Sequence, residues 1–445
     1  MDLGPLAAQM QALLHDAAES LAWQAGCCRR TSPLSGAALL QTVVLTCLAH
    51  PEPRVEDYAQ VAAALGYPVT PQALDQRFTP GLARALEGLL AEAVRAAVAR
   101  NPAAVAVLQK FTAVEVHDSS TITLPDSLED FWRGGNTSTG KGGRAALKVQ
   151  TRLDLVSGRL SAVRPGPGRD NDHATPLQTE GLAPGSLHLR DLGYFDLDVL
   201  QAVGAAGAFF LSRLQDGTAV FGADGRRLDL ADWLGRQRGG VVDVPVTIGA
   251  GHRLPCRLVA VRVPAAVAAQ RRRQARAAGR KKGYTPSRQK LALCDWNFYV
   301  TNVPQAALAV EEVLALARAR WQIECLFKQW KSDGGLARVR SAKPWRVVGE
   351  VFGKLIAQVL QHAVLVPCAW HRANRSLRKA AKAVRRHAGQ LIAALHDARK
   401  LAEALHDIAG SLVKAARVDT RRQHPSAFQV LSDPKTHGYK LLDQA

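Results

Sequence analysis

The chain has 445 residues, 47% of them hydrophobic, which is enough for two or three domains with a substantial core. Its formal net charge of +20 favours a polyanionic partner, although other strongly basic classes of protein share such a charge. Seven scattered cysteines without zinc-binding spacing, no signal-peptide pattern and no uninterrupted apolar run of membrane-spanning length argue against a secreted or membrane protein.

Residues 1–105 are rich in alanine and leucine with a 3.6-residue apolar period, which predicts a helical region. Within it, the pattern predicts a helix over Val55–Leu65 that ends at Gly66, and a second helix that Thr70 caps. Two helices with a short turn between them are typical of DNA-binding helix-turn-helix motifs, but also of ordinary helical hairpins. Both interpretations stay open for this segment.

The pattern changes after Pro102, where alternating apolar residues predict strands. In chain order we expect three strands, a polar helix, a strand, a helix and a strand, which is the order of a ribonuclease-H-like core. The predicted elements are Thr112–His117, Ala145–Leu155, Leu160–Val163, the helix Asp172–Thr179, Leu187–Arg190, the helix Phe195–Val203, and Ala208–Leu211.

A second β-rich stretch follows from about residue 214, then a basic linker over 265–290 and a strand at Phe298–Asn302. From Pro344 onward the chain is predicted to be helical and basic. The predicted fold is therefore α/β, with a ribonuclease-H-like mixed sheet, a β-rich insertion, and helical regions at both ends. The predicted regions are the helical 1–105, the first part of the core 106–213, the insertion with its linker 214–296, the second part of the core 297–345, and the helical 346–445.

The segment from Ala317 to Lys331 carries three charged residues with helical spacing. At 100° per residue, Arg320, Glu324 and Lys331 fall on one face of a single helix. The opposite stripe, which contains Trp321, Cys325, Leu326, Phe327 and Trp330, should be buried. The charged face could present a metal-binding carboxylate between two phosphate-binding cations, or it could be an ordinary solvated face with an Arg–Glu pair.

Two aspartates end predicted strands of the core, Asp118 after the first and Asp191 after the fourth. These strands are neighbours in a ribonuclease-H-like sheet, so the two carboxylates should lie side by side. Such a pair repels unless cations neutralise it, and Mg²⁺ prefers oxygen ligands of this kind. Aspartates at strand ends are also common turn formers.

These motifs resemble those of DDE transposases of the insertion-sequence-four family, whose signature is Y-x2-R-x3-E-x6-K. Arg320, Glu324 and Lys331 match it, whereas Ala317 stands at the tyrosine position, a departure that bears on efficiency more than on the type of reaction. Asp118 is followed by Ser119, and Asp191 by Leu-Gly-Tyr, as is common in that family. The resemblance covers about residues 110–345.

The resemblance implies that Asp118, Asp191 and Glu324 are catalytic and ligate Mg²⁺, with Mn²⁺ as a substitute. It also implies contacts with DNA, which we expect from Arg320, Lys331, Lys328 and Trp296, and from Lys141 and Arg144 in a glycine-rich loop. Trp296 would stack on a flipped base, and a strand tryptophan that faces the core is an equally good interpretation.

The predicted function is that of a DNA transposase that cleaves the ends of an insertion sequence and transfers the strands. Its expected partner is double-stranded DNA, both transposon ends and target, bound by a homodimer in a synaptic complex. We expect it in the cytoplasm of a prokaryote, associated with the nucleoid. Two alternatives stay open: a metal-dependent nuclease of the same fold, and a non-catalytic DNA-binding protein derived from a transposase.

Overall fold

The computed structural model describes residues 2–28, 34–96, 105–135, 144–370, 372, 374–418 and 425–437. Its N-terminal part is helical, as predicted. Thr70 caps the fifth helix, because its hydroxyl accepts a hydrogen bond from the N–H of Ala73 (3.2 Å). That helix is short and ends at Asp75. The helices are α1 (Gly4–Ala12), α2 (Ala18–Gln24), α3 (Gly36–Ala49), α4 (Val55–Ala64), α5 (Pro71–Asp75) and α6 (Pro80–Ala96), with a π turn at Leu13–Ala17.

The strands and the second helix of the predicted core are present. The predicted polar helix Asp172–Thr179 is wrong: two 3₁₀ turns, Asp172–Ala174 and Pro176–Gln178, stand in its place. Pro176 has no N–H to donate and its ring clashes with the preceding turn, which disfavours an α-helix across this position. The observed elements are β1 (Val114–Leu124), β2 (Ala145–Asp154), β3 (Leu160–Pro167), β4 (Leu187–Arg190), α7 (Leu197–Ala205) and β5 (Phe209–Arg213).

The next segment is β-rich, but the basic stretch within it is a helix, so the prediction of a linker over 265–290 is wrong. Alanine and arginine are strong helix formers, and no proline occurs between Pro264 and Pro286. The elements are β6 (Val220–Phe221), β7 (Arg227–Leu228), α8 (Leu230–Gly235), β8 (Val241–Ile248), β9 (Leu254–Arg262), α9 (Ala265–Lys281), α10 (Arg288–Leu293) and β10 (Trp296–Thr301).

The segment that contains Glu324 is divided between two helices and a π turn at Gln329–Asp333. The prediction of one helical face is therefore wrong, because each change of helix type alters the 100° step between residues. In the predicted apolar stripe, Trp321 and Cys325 are exposed and the other members are buried. The remaining elements are α11 (Val310–Ala319), α12 (Trp321–Lys328), α13 (Pro344–Ala369), α14 (Leu377–Arg386), α15 (Ala388–Ala394), α16 (Ala398–Ala415), α17 (Ala427–Ser432) and α18 (Pro434–His437).

The chain divides into two compact units, each built from three chain segments. The first unit consists of Met1–Asn101, Ser119–Asp170 and Glu324–Arg422. The second consists of Pro102–Asp118, Asn171–Ile323 and Gln423–Ala445. The five regions expected from the sequence stay a prediction.

Strand β1 contributes residues to both units. In the first unit the order is β3-β2-β1, and β2 and β3 are antiparallel. In the second unit the order is β1-β4-β5-β10-β9-β8-β6-β7, and β1, β4 and β5 are parallel. Strands β6–β9 form the predicted β-rich insertion, so the predicted fold class is confirmed.

Each unit has its own core. In the second unit, α7 packs on β5, β8, β9 and β10 through the buried residues Leu200, Val203, Phe210, Ile248 and Leu258. In the first unit α13 packs against α3 and α6. Close approach requires glycine there, because a Cβ at position 353 would lie 2.8 Å from a methyl group of Val43. Helix α13 is apolar and long enough to cross a membrane, but 89% of its apolar window is buried, as in the core helix of a water-soluble protein.

The buried His362 of α13 predicts a dependence of stability on pH. Its Nε2 lies 2.6 Å from the carbonyl oxygen of Gly158, and burial lowers its pKa from 6.5 to about 4. Between these two values the unfolded chain binds a proton that the folded chain does not. The imidazole thus contributes stability that is fully present above pH 6.5 and is lost as the pH falls to about 4.

We expect this effect to reduce the free energy of unfolding by up to about 3 kcal/mol, since one pKa unit corresponds to about 1.36 kcal/mol. Urea denaturation of wild type and His362→Gln at pH 7 and pH 4.5 measures it. The wild type should lose more stability than the variant on acidification. Equal losses in the two proteins would contradict the prediction.

Candidate active site

Two of the predicted carboxylates lie in or directly after neighbouring strands of the second unit. Strands β1 and β4 are parallel, and Val114, Glu115 and Val116 pair with Leu187, His188 and Leu189. Continued by two residues, this register would set position 118 opposite position 191, which directly follows the end of β4. Adjacent strands lie about 4.8 Å apart, and side chains at paired positions project from the same face. The prediction that Asp118 ends its strand is wrong, because the β-branched residues that follow it extend β1 to Leu124.

Asp191 is held where its carboxylate can meet a ligand. It precedes the 3₁₀ turn Leu192–Tyr194, and its side chain makes no capping hydrogen bond to that turn. About 40% of its side chain is exposed. The end of the buried strand β4 thus positions the carboxylate, and no capping hydrogen bond to the following turn occupies it. Asp118 is half-buried.

The histidines that precede the two aspartates, His117 in β1 and His188 in β4, are buried. The ring of His117 packs against that of Tyr194 in a tilted arrangement, with centroids 4.5 Å apart. Three residues before the two aspartates, Nδ1 of His188 lies 3.7 Å from the carboxylate of Glu115. These contacts join β1 to β4 and to the turn that follows β4.

Arg320 lies against Asp191. Its Nη1 is 3.8 Å from Oδ2 of Asp191, and it occupies the junction between α11 and α12. Since the two residues are 129 positions apart in the sequence, only the fold brings them together. The guanidinium compensates the charge of the carboxylate and, with its planar set of donors, suits phosphate.

A cavity of about 310 Å³ adjoins Asp191 in the second unit. Ala317 lies in its wall, so the position where the resembling family has tyrosine faces open space. The wall also contains polar residues that were not expected from the sequence, among them Arg213, Asn297, Tyr299 and Arg318. Arg213 pairs with Tyr299 across β5 and β10, a pairing that no local sequence pattern reveals.

Glu324 is half-buried in α12 and is the first residue of the third segment of the first unit. In that unit Lys331 donates a hydrogen bond from Nζ to the carbonyl oxygen of Thr121 (2.8 Å), and burial lowers its pKa. Lys328 is exposed. Within the described ranges, no three His, Cys, Asp or Glu side chains are gathered closely enough to hold a metal ion.

The other predicted DNA contacts differ in their surroundings. Trp296 is 4% exposed and packs with Leu234, Val242 and Ala260, and Arg262 covers its ring. The structure thus supports the core interpretation of this tryptophan, because a base cannot stack on a covered ring. Arg144 is exposed, and Lys141 lies outside the described residues.

Comparisons with known proteins identify the family of the chain. The family model described as "Transposase DDE domain" matches residues 110–360. The transposase for insertion sequence element IS231B of Bacillus thuringiensis subsp. berliner is 27% identical, with 76% of this chain and 75% of that protein covered. The transposase for IS231F of B. thuringiensis subsp. israelensis is 28% identical, with 69% and 68% covered.

Among solved structures, a piggyBac transposase synaptic complex with hairpin DNA aligns with 94% of this chain and 87% of that chain, with a TM-score of 0.44 and 10% identity. The family assignment does not depend on this likeness. It follows from the family model, which spans more than half of the sequence and includes both aspartates and Glu324. The chain therefore belongs to the DDE transposases, enzymes that carry out DNA transposition.

Proposed function

We propose that Asp118, Asp191 and Glu324 are the catalytic carboxylates of this transposase. The observation that carries the proposal is the parallel register of β1 and β4, whose continuation by two residues would make the two aspartates neighbours. Two carboxylates at this distance repel each other, and a protein keeps such a pair ionised only with cations at hand. The pairing of Arg320 with Asp191 is in keeping with a need for positive charge at this position.

The family implies dependence on a divalent metal ion, and we propose Mg²⁺, with Mn²⁺ as a substitute. The donor set fits, because aspartate and glutamate oxygens are hard ligands. Asp118, Asp191 and Glu324 would hold the metal. When bound, such ions activate the attacking water or 3′-hydroxyl and stabilise the leaving oxygen of a phosphodiester.

The cationic side chains near Asp191 would hold the DNA backbone during this chemistry. Arg320 reaches a phosphate through its planar fork of donors, and Arg213 and Arg318 line the same cavity. Lys328 is exposed, and we propose it as a DNA contact together with Arg144 and Lys141. Lys331 contributes mainly by fastening the π turn to β1 through Thr121.

Cleavage at the ends of an insertion sequence would free a 3′-hydroxyl, which then attacks target DNA. We propose transposon ends and target, both double-stranded, as the partners, and a homodimer in the synaptic complex. A hairpin intermediate is implied by the resemblance to the insertion-sequence-four family. We propose the cytoplasm of a prokaryote, close to the nucleoid, as its place of action.

Removal of the metal provides a direct test. Purified protein is incubated with a duplex that carries the DNA flanking its reading frame, and with a second duplex that is pre-cut to present the 3′-hydroxyl. We expect no product in EDTA, strand cleavage of the first duplex in Mg²⁺, and joining of the second to target DNA. Gel electrophoresis of labelled strands measures both steps.

The same experiment separates the alternatives. Cleavage without joining of the pre-cut end would indicate a nuclease on this fold and would contradict the transfer step. Binding of the duplex without either product, in Mg²⁺ and in Mn²⁺, would indicate a non-catalytic DNA-binding protein. Cleavage that persists in EDTA would contradict the metal-dependent mechanism.

A further inference from the structure

Helix α9 carries arginines on two sides, and the arginines on its inner side contact residues at the start of β10. Arg271 donates a hydrogen bond from Nη2 to Oδ1 of Asn297 (2.7 Å), and Arg272 forms an ion pair with Asp295. Both partners lie at or just before β10. The inner arginines therefore fasten α9 to the sheet of the second unit and explain why a stretch so rich in charge is ordered as a helix.

The outer side of α9 presents three further arginines, Arg273, Arg276 and Arg280. Their spacing of i, i+3 and i+7 places them within about 60° of one another around the helix axis. All three are exposed, and in the parts of the chain that the structure describes they form no ion pair. The sequence between Pro264 and Cys294 contains no aspartate or glutamate that could neutralise them. We name these three residues the α9 arginine face.

A solvated surface is the usual explanation for a run of charges. Two observations favour a binding surface here. The turn that follows α9 exposes 45% of Tyr284, a large ring beside the last arginine of the face. The backbone of this turn has a defined conformation, because the N–H of Tyr284 donates to the carbonyl oxygen of Gly279 (2.9 Å). The turn also requires glycine at position 279, since a Cβ there would lie 2.6 Å from the carbonyl oxygen of Tyr284.

The base of α9 also adjoins the candidate active site. A cavity of about 650 Å³ is lined by Arg271 and Gln274 of α9, together with Leu192, Arg213 and Asn297. Leu192 follows Asp191 directly, and Arg213 and Asn297 also line the cavity that contains Asp191. DNA held at Asp191 would therefore extend past α9.

The spacing of the face suits a DNA strand. At a rise of about 1.5 Å per residue, Arg273 and Arg280 are about 10 Å apart along the helix. A strand of duplex DNA carries one phosphate per about 3.4 Å of its axis, so the face spans about three phosphates. We propose that the α9 arginine face binds the backbone of duplex DNA beside the cleavage site, with Tyr284 in contact with the same duplex. The proposal rests on the function proposed above for the neighbouring carboxylates.

The test is the salt dependence of DNA binding by the full-length protein. Fluorescence anisotropy with a labelled element-end duplex is measured for wild type and for Arg273→Ala/Arg276→Ala/Arg280→Ala. Each phosphate contact contributes about 0.9 to the slope of log affinity against log salt. We expect the slope of the triple variant to fall by about 2 to 3, with at least about tenfold weaker binding.

A matched control removes three exposed arginines of the same unit that lie outside α9: Arg226→Ala/Arg227→Ala/Arg238→Ala. Its slope should stay close to that of wild type. Equal slopes for wild type and the α9 variant, or equal reductions in the α9 and control variants, would overturn the proposal. In addition, Tyr284→Ala should weaken binding without a change of slope, because it removes no charge; unchanged affinity would overturn the assignment of Tyr284.

The test of the α9 arginine face gives a result that can be distinguished from a failure of the proposed catalytic carboxylates. The α9 variant retains all three carboxylates, so at saturating protein concentration it should still cleave in Mg²⁺. Asp191→Asn, by contrast, should retain the salt slope of wild type and lose cleavage. If the α9 variant shows a smaller salt slope and still cleaves DNA, the result supports DNA binding by the α9 arginine face, whichever residues hold the metal.

Discussion

Replacement of Glu324 with glutamine should lower the rate of Mg²⁺-dependent cleavage by more than about 100-fold. Even the outer partners of metal ligands are worth about 10- to 100-fold in affinity or activity, and a direct ligand should be worth more. Glutamine keeps the size of the side chain but removes the charge that would balance a divalent cation. Single-turnover cleavage of an element-end duplex measures the effect, and anisotropy should show that the duplex still binds.

Asp118→Asn and Asp191→Asn should be as damaging as Glu324→Gln, and the triple variant little worse than any single one. Residues that act as one unit are non-additive in this way. Glu311→Gln is a suitable control, since Glu311 is a carboxylate of the first turn of α11 and does not line the cavity at Asp191. Undiminished cleavage by Glu324→Gln would sink the assignment of this residue.

The second large effect concerns stability. Lys354 is fully buried in α13, where its Nζ lies 2.7 Å from Oε1 of Glu350 and donates to the carbonyl oxygen of Gly335 (2.9 Å). It also donates to the carbonyl oxygen of Arg338. Burial raises the pKa of Glu350, so its negative charge depends on the ammonium beside it. This one side chain fastens the loop that follows the π turn to the central helix of the first unit.

We expect Lys354→Met to lower the free energy of unfolding by about 3–5 kcal/mol, because it leaves a buried carboxylate unpaired and removes the Nζ donor from the carbonyls of Gly335 and Arg338. The double variant Glu350→Gln/Lys354→Met should recover part of this loss, since it also removes the unpaired charge. Urea denaturation monitored by tryptophan fluorescence compares them. Lys400→Met, at an exposed position of α16, should unfold like wild type. A wild-type midpoint for Lys354→Met would show that the buried pair contributes little.

Much of the fold could be predicted because local patterns determine it. The strands β2, β4 and β10 and the helix α7 lie where alternation or helical periodicity indicates them, within one or two residues. Predictions failed where one residue type outweighed the pattern. Pro176 interrupts the expected polar helix, and the alanine-rich background of the basic stretch forms α9 in place of a linker.

The segment around Glu324 marks the limit of such reasoning. Its spacing pointed to the correct family, yet the single charged face drawn from that spacing is absent, because Arg320 stands at a junction of helices and Lys331 in a π turn. The burial of Trp296 likewise depends on β9 and α8, which its own sequence neighbourhood does not specify.

By itself, the sequence determined the fold class, the family and the order of the three carboxylates, because strand ends and signature spacings are local properties of the chain. Only the tertiary structure decided which distant residues meet. It brought Arg320 to Asp191, paired Arg213 with Tyr299, and separated the engaged arginines of α9 from the exposed ones. Such contacts join residues far apart in the chain, and they arise from the packing of whole elements, which no short pattern encodes.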